Sequence, residues 1–145
     1  MRLRPRSRWA AGRSTISRRR VRLVLAFFKG SCPVCQLTFP YLERMAQGGR
    51  ARFAGIGQDD LKTTAAFNQR FGVTFPVLLD TKESGYPVSN AYGISHVPTV
   101  FLVESAGEIS WVMEGFSRTM MLELGERTGV APFLPGEFVP EWKSG

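Results

Sequence analysis

Cysteine and histidine are nearly missing from this 145-residue chain, which has two of the first and one of the second. Two cysteines cannot staple a disulfide-built secreted miniprotein, and one histidine leaves little for a histidine-rich metal site. No run of 18 apolar residues occurs, which excludes a membrane-spanning helix. No internal repeat is visible. Acid is missing from residues 1–22, which hold nine arginines. What is present is ordinary: 43% of residues are hydrophobic and 21% charged, in a length suited to one domain.

The net charge of +7 belongs to the leader. Of nineteen basic residues nine lie in 1–22, and the other ten face twelve acids, so residues 23–145 are two charges negative. The expected division is a disordered arginine-rich extension over 1–20, a folded domain over 21–130 and an extended tail over 131–145 with prolines at 132, 135 and 140. A basic arm attracts phosphates or anionic lipid. Only Trp9 offers a stacking ring there, so a specific nucleic-acid partner is not expected.

Val21–Phe28 is β-branched and aromatic, as in a buried strand. It does not read as a signal peptide: Arg22 interrupts the short apolar run and no Ala-x-Ala-like site follows. Val34, Leu37, Tyr41, Leu42 and Met45 recur at three- and four-residue steps, predicting a helix from Pro33 to about Gln47 with a kink at Pro40. Ala51–Gly57 reads as a strand. Asp59 or Asp60 caps a helix closed by Gly72. Pro76–Leu79 is a short strand and Val88–Tyr92 a short helix. Thr99–Val103 and Ile109–Met113 read as a hairpin, and Ser117 caps a last helix to about Thr128. This order gives an α/β domain: a mixed central sheet flanked by helices, with parallel strands from the crossovers and an antiparallel edge from the hairpin.

Both cysteines lie in Cys32-Pro33-Val34-Cys35. A cysteine opening a helix meets unsatisfied N–H groups and the positive end of the helix dipole, which favour thiolate. A second cysteine three residues on sits one turn deeper on the same side and can close onto the first sulfur. Cys32 is then the attacking thiol and Cys35 the resolving one, with Lys29 an aid to the Cys32 thiolate. Two other readings stay open. Half of a zinc site would need ligands from another chain, since only His96 remains. A merely structural pair is unusual at a helix opening.

The sequence resembles the thioredoxin-like superfamily, in its TlpA/ResA-like and alkyl-hydroperoxide-reductase-like branch. The resemblance rests on Leu25-Ala26-Phe27-Phe28 before the cysteines, Pro40, the run Phe75–Asp80, and Ala91-Tyr92-Gly93-Ile94-Ser95-His96-Val97-Pro98-Thr99-Val100-Phe101-Leu102-Val103. It covers about residues 21–128. It implies a single-domain thioredoxin-like fold and a thiol–disulfide oxidoreductase serving antioxidant activity and redox homeostasis. It implies no cofactor beyond a redox-active Cys32–Cys35 disulfide, and no metal. Partners would be protein or small-molecule disulfides or dithiols and a redox partner, met by a monomer. By the same resemblance Pro98 is cis and lies against the disulfide, while the Val97 backbone pairs with an extended substrate segment. The branch is mostly exported or periplasmic; without a clear signal peptide the other expectation is cytoplasmic.

Three departures stand out. Thioredoxins carry an acid where Ala26 stands, and some TlpA/ResA-like proteins carry one where Thr38 stands, so the acceptor of the Cys35 proton is open between water and Lys29. Peroxiredoxins place Thr or Ser three residues before the reactive cysteine; Lys29 there counts against a thiol peroxidase, the alternative within the fold. The family's usual strand pair before the first core strand is replaced by the arginine-rich stretch. A non-catalytic binding module using that arm is the remaining alternative. His96 could carry protons, though a loop histidine usually faces solvent. Phe28 could wall a groove, though it suits a core. The Trp142 tail could dock on the body or on a partner.

Overall fold

A computed structural model describes residues 21–145. The arginine-rich extension expected over 1–20 lies outside the described residues. The chain runs β1 (Leu23–Phe28), α1 (Pro33–Gln47), β2 (Arg52–Gly57), α2 (Leu61–Phe71), β3 (Val77–Leu79), a 3-10 turn (Lys82–Ser84), α3 (Pro87–Ala91), β4 (Thr99–Val103), β5 (Ile109–Glu114), β6 (Phe116–Ser117), α4 (Arg118–Thr128) and β7 (Trp142–Lys143).

Five strands form one sheet in the order β3-β2-β1-β4-β5. β1 pairs in parallel with β2, and β2 with β3. The reversal expected only at the hairpin comes one strand earlier, because β4 already runs antiparallel to β1, with Phe27 opposite Thr99. The link from β3 to β4 holds only a 3-10 turn and a five-residue helix. Through it the chain re-enters the sheet from the end where it left. That end also carries the turn after β1, so residues 96–98 and Cys32 are brought together.

β1 is buried on both faces, which is why it reads as an unbroken apolar run. Val24, Ala26 and Phe28 join a large cluster with Phe39, Leu42 and Met45 of α1 and Met121 and Leu124 of α4. Leu25 and Phe27 face a smaller one with Ile56 and Phe101, against which Val88 packs. Phe28 is 1% exposed and lies between the Phe39 and Phe67 rings, so it is core and not a groove wall.

Asp60, and not Asp59, caps α2 by accepting the Thr63 N–H, and Ser117 caps α4 by accepting that of Met120. α1 is continuous through Pro40, whose missing N–H leaves the Gln36 carbonyl without its helix donor. Arg22, counted within the first strand on the sequence, precedes it and bonds Glu104 at 3.0 Å.

The tail does not extend away. Phe133 stacks edge-on to Tyr41, and β7 pairs antiparallel with β6, Trp142 opposite Ser117. Among the described residues no helix is long and apolar enough to cross a membrane.

Candidate functional site

The turn between β1 and α1 is pinned from two sides. The Gly30 N–H donates to Asp59 Oδ2 at 2.7 Å, and Gln36 Nε2 donates to the Gly30 carbonyl at 2.8 Å. Cys32 follows as the N-cap of α1, in extended conformation, with Pro33 in the first helical turn. Proline suits that place because its missing N–H would have no helix partner. The Cys35 N–H donates to Cys32 Sγ at 3.1 Å, so the sulfur does the work of a capping oxygen.

The two thiols are free and differ sharply. Cys32 is half-buried, while Cys35, in the first turn of α1, is fully buried. The Cys32 pKa is lowered to about 6, first by the hydrogen bond from the Cys35 thiol, against an opposing effect of burial. The backbone N–H groups of Cys35 and Val34 lower it further, and the Lys29 charge adds the smallest share. Burial first, and then donation to the Cys32 sulfur, pushes the Cys35 thiol well up. At neutral pH one sulfur is a half-buried thiolate and its neighbour a sheltered thiol.

The loop before β4 completes the site. The Val97–Pro98 peptide bond is cis, and Pro98 is buried. Cys32 Sγ stands 3.6 Å from the Val97 carbonyl oxygen. The four residues singled out on the sequence, Cys32, Cys35, Val97 and Pro98, thus come together. His96 is exposed, its Nδ1 2.9 Å from Ser95 Oγ. Thr38 is buried and spends its hydroxyl on the Val34 carbonyl at 2.7 Å. The chain's last residues also return here: a Cβ placed on Gly145 would collide with the Val97 carbonyl oxygen and lie 2.9 Å from His96 Cδ2.

Sequence reasoning missed Asp59 as a site residue. Its carboxylate holds the Gly30 N–H, and its charge helps raise the Cys35 thiol. The signal was the Asp59-Asp60 doublet, since a helix start needs only one capping acid. Among the described residues no group of three or more His, Cys, Asp or Glu could hold a metal ion.

Known proteins with this arrangement are recognisable in the sequence. The AhpC/TSA family model matches residues 13–112. The thiol-disulfide oxidoreductase ResA of Halalkalibacterium halodurans is 32% identical over 104 residues, covering 68% of this chain and 57% of that protein. ResA of Geobacillus thermodenitrificans is 30% identical over 96 residues, covering 63% of this chain and 53% of that protein. The chain thus spans a little over half the length of the curated relatives it matches. The crystal structure of the thioredoxin domain of a Bacteroides vulgatus thiol-disulfide oxidoreductase superposes with a TM-score of 0.64 at 18% identity, covering 74% of this chain and 78% of that one. That likeness shows the thioredoxin-like fold. Because the family match takes in more than half of the sequence, including both cysteines and the cis-proline loop, the chain belongs to the AhpC/TSA family.

Proposed function

We propose that the protein is a thiol–disulfide oxidoreductase. The observation that carries this reading is the unequal sulfur pair: a half-buried Cys32 thiolate held by the Cys35 N–H, beside a fully buried Cys35 thiol. The Cys32 thiolate attacks one sulfur of a substrate disulfide, forming a mixed disulfide and releasing the other sulfur as thiolate. Cys35 then gives up its proton and attacks Cys32 Sγ, which expels the second substrate thiolate and leaves a Cys32–Cys35 disulfide. Two electrons pass to the substrate, and a dithiol partner restores the pair.

We assign the Cys35 proton to Asp59, the carboxylate whose charge reaches that thiol. We assign substrate alignment to the backbone of Val97, whose carbonyl lies beside the Cys32 sulfur, and to Pro98, joined to it by the cis bond. No cofactor beyond the cysteine pair enters this scheme. A peroxidase would want a hydroxyl three residues before Cys32, where Lys29 stands. A monomeric protein and an exported setting belong to the same proposal, read by sedimentation and cell fractionation, and limited proteolysis should find a folded unit that keeps the 131–145 segment, whose Val139 joins the core.

The test is a redox titration by thiol alkylation and mass shift in defined thiol buffers. Cys32 and Cys35 are expected to titrate as one two-electron couple. A Cys35→Ser protein should accumulate the mixed disulfide, and a Cys32→Ser protein that kept full exchange activity would falsify the reading.

A further inference from the structure

Next to the cysteine pair a cavity of about 230 Å³ opens between the turn after β1, α3 and the loop before β4. The residues that line it include Lys29, Gln58, Ser89, Asn90, Ser95 and His96. No Asp or Glu lines it, although residues 23–145 hold more acids than bases. The buried Asp80 beneath is already engaged, accepting the Val88 and Ser89 N–H groups at 2.9 and 2.7 Å. Lys29 has no salt-bridge partner among the described residues, and residues 1–20 contain no acid.

An exposed lysine without a partner is ordinary by itself. Its surroundings are not. Val97 belongs both to the cavity wall and to the contact with Cys32 Sγ, so the cavity adjoins the reacting sulfur. Gln58 is fixed in direction by its 2.8 Å bond to Ser89, which leaves its second amide proton available. Tyr86, which leads into α3 and also lines the cavity, holds φ at 52°, a left-handed conformation costly for an aromatic residue. The segment that carries Ser89 and Asn90 is held in place against that strain.

We propose that this cavity is a carboxylate-binding subsite of the exchange site. It takes an acidic side chain or free carboxylate carried by the substrate beside its disulfide. Lys29 supplies the charge and the second amide proton of Gln58 a neutral donor, joined by the remaining amide proton of Asn90, whose other one goes to the Gly85 carbonyl. It stands on the exchange reading above. The carboxylate could belong to a small thiol compound or to an acidic peptide, and the chemistry of recognition is the same.

The test measures kcat/KM of the full-length reduced protein on two matched pairs of disulfides. One pair is glutathione disulfide and its ethyl ester. The other is a peptide disulfide with Glu beside its cysteine and the same peptide with Gln. The carboxylate member is expected to be favoured about fivefold, chiefly through KM, as for a partly shielded ion pair. Lys29→Gln should bring that ratio close to one. Taking the ratio within each protein cancels any effect of Lys29 on Cys32 itself. A preference in the glutathione pair supports the subsite for a small thiol, and one in the peptide pair supports it for a polypeptide. Equal rates within both pairs, or a ratio that Lys29→Gln leaves unchanged, overturn the subsite while exchange persists. Exchange with none of the four overturns the underlying reading and the subsite with it.

Discussion

The Cys35 N–H points at the Cys32 sulfur from 3.1 Å, so the attacking group is held by the residue that later displaces it. This bond and the Cys35 thiol together make Cys32 acidic, with a pKa of about 6 against 9.0 for an ordinary thiol. Alkylation of Cys32 by iodoacetamide, followed by mass spectrometry, should therefore show a midpoint near pH 6. A midpoint above pH 8 would contradict the assignment.

The same shift fixes the sign of a stability effect. Between about pH 6 and pH 9 the unfolded chain binds the Cys32 proton and the folded one does not. Stability of the reduced protein should rise with pH across that window. The contribution is complete above the unfolded value and vanishes as pH falls through the folded one. Thermal unfolding of the reduced protein against Cys32→Ser, which lacks the titration, reads it.

Asp59 combines two tasks, holding the Gly30 N–H and facing Cys35 with a negative charge. Asp59→Asn keeps an acceptor oxygen for Gly30 and removes the charge. It should slow the resolving step by about a hundredfold, the low end for a lost proton acceptor, with the first attack little changed. Stopped-flow lifetimes of the mixed disulfide measure this. A faster resolving step would show that Asp59 acts only through its charge.

Buried Glu43 ties α1 to the segment before β3 by accepting the Thr74 N–H at 2.8 Å and the Thr74 hydroxyl. Burial alone would raise its pKa, but these bonds and one from Gln47 outweigh it and hold the carboxyl below its usual range. Glu43→Ala should cost about 2–3 kcal/mol in urea unfolding, since Thr74 is left without its partner, and Glu43→Gln less. In the parent protein this contribution is present above the ordinary carboxylate value and lost as pH falls through the lowered one.

Gly115 has φ of 76°, and a methyl group there would meet the Lys143 carbonyl oxygen at 2.6 Å. Gly115→Ala should detach β7 at a cost of about 1–3 kcal/mol without unfolding the sheet. The reporter is the Arg118 N–H, bonded to the Glu141 carbonyl at 2.9 Å, whose hydrogen exchange should quicken. Unchanged exchange there would argue against the tail's attachment.

Much of this molecule was legible because local signals agreed. Apolar spacing placed α1 from Pro33 to Gln47 as observed, and Ser117 with Gly129 bracketed α4. The cysteine pair was visible because helix-start chemistry is local. What was not visible is what depends on chain return. The direction of β4 is set by its pairing with β1, more than seventy positions away at Phe27 and Thr99, and the tail's place beside β6 is a long-range pairing with two residues and no apolar pattern. Asp59 was hidden for the same reason: its partner, Gly30, is 29 positions away.

Gly145 rests against the Val97 carbonyl oxygen with no room for a side chain. Whatever follows Gly145, native residues or an affinity tag, therefore sets out from the mouth of the cysteine site. A tag fused there would crowd incoming disulfides and pass for weak enzymatic activity.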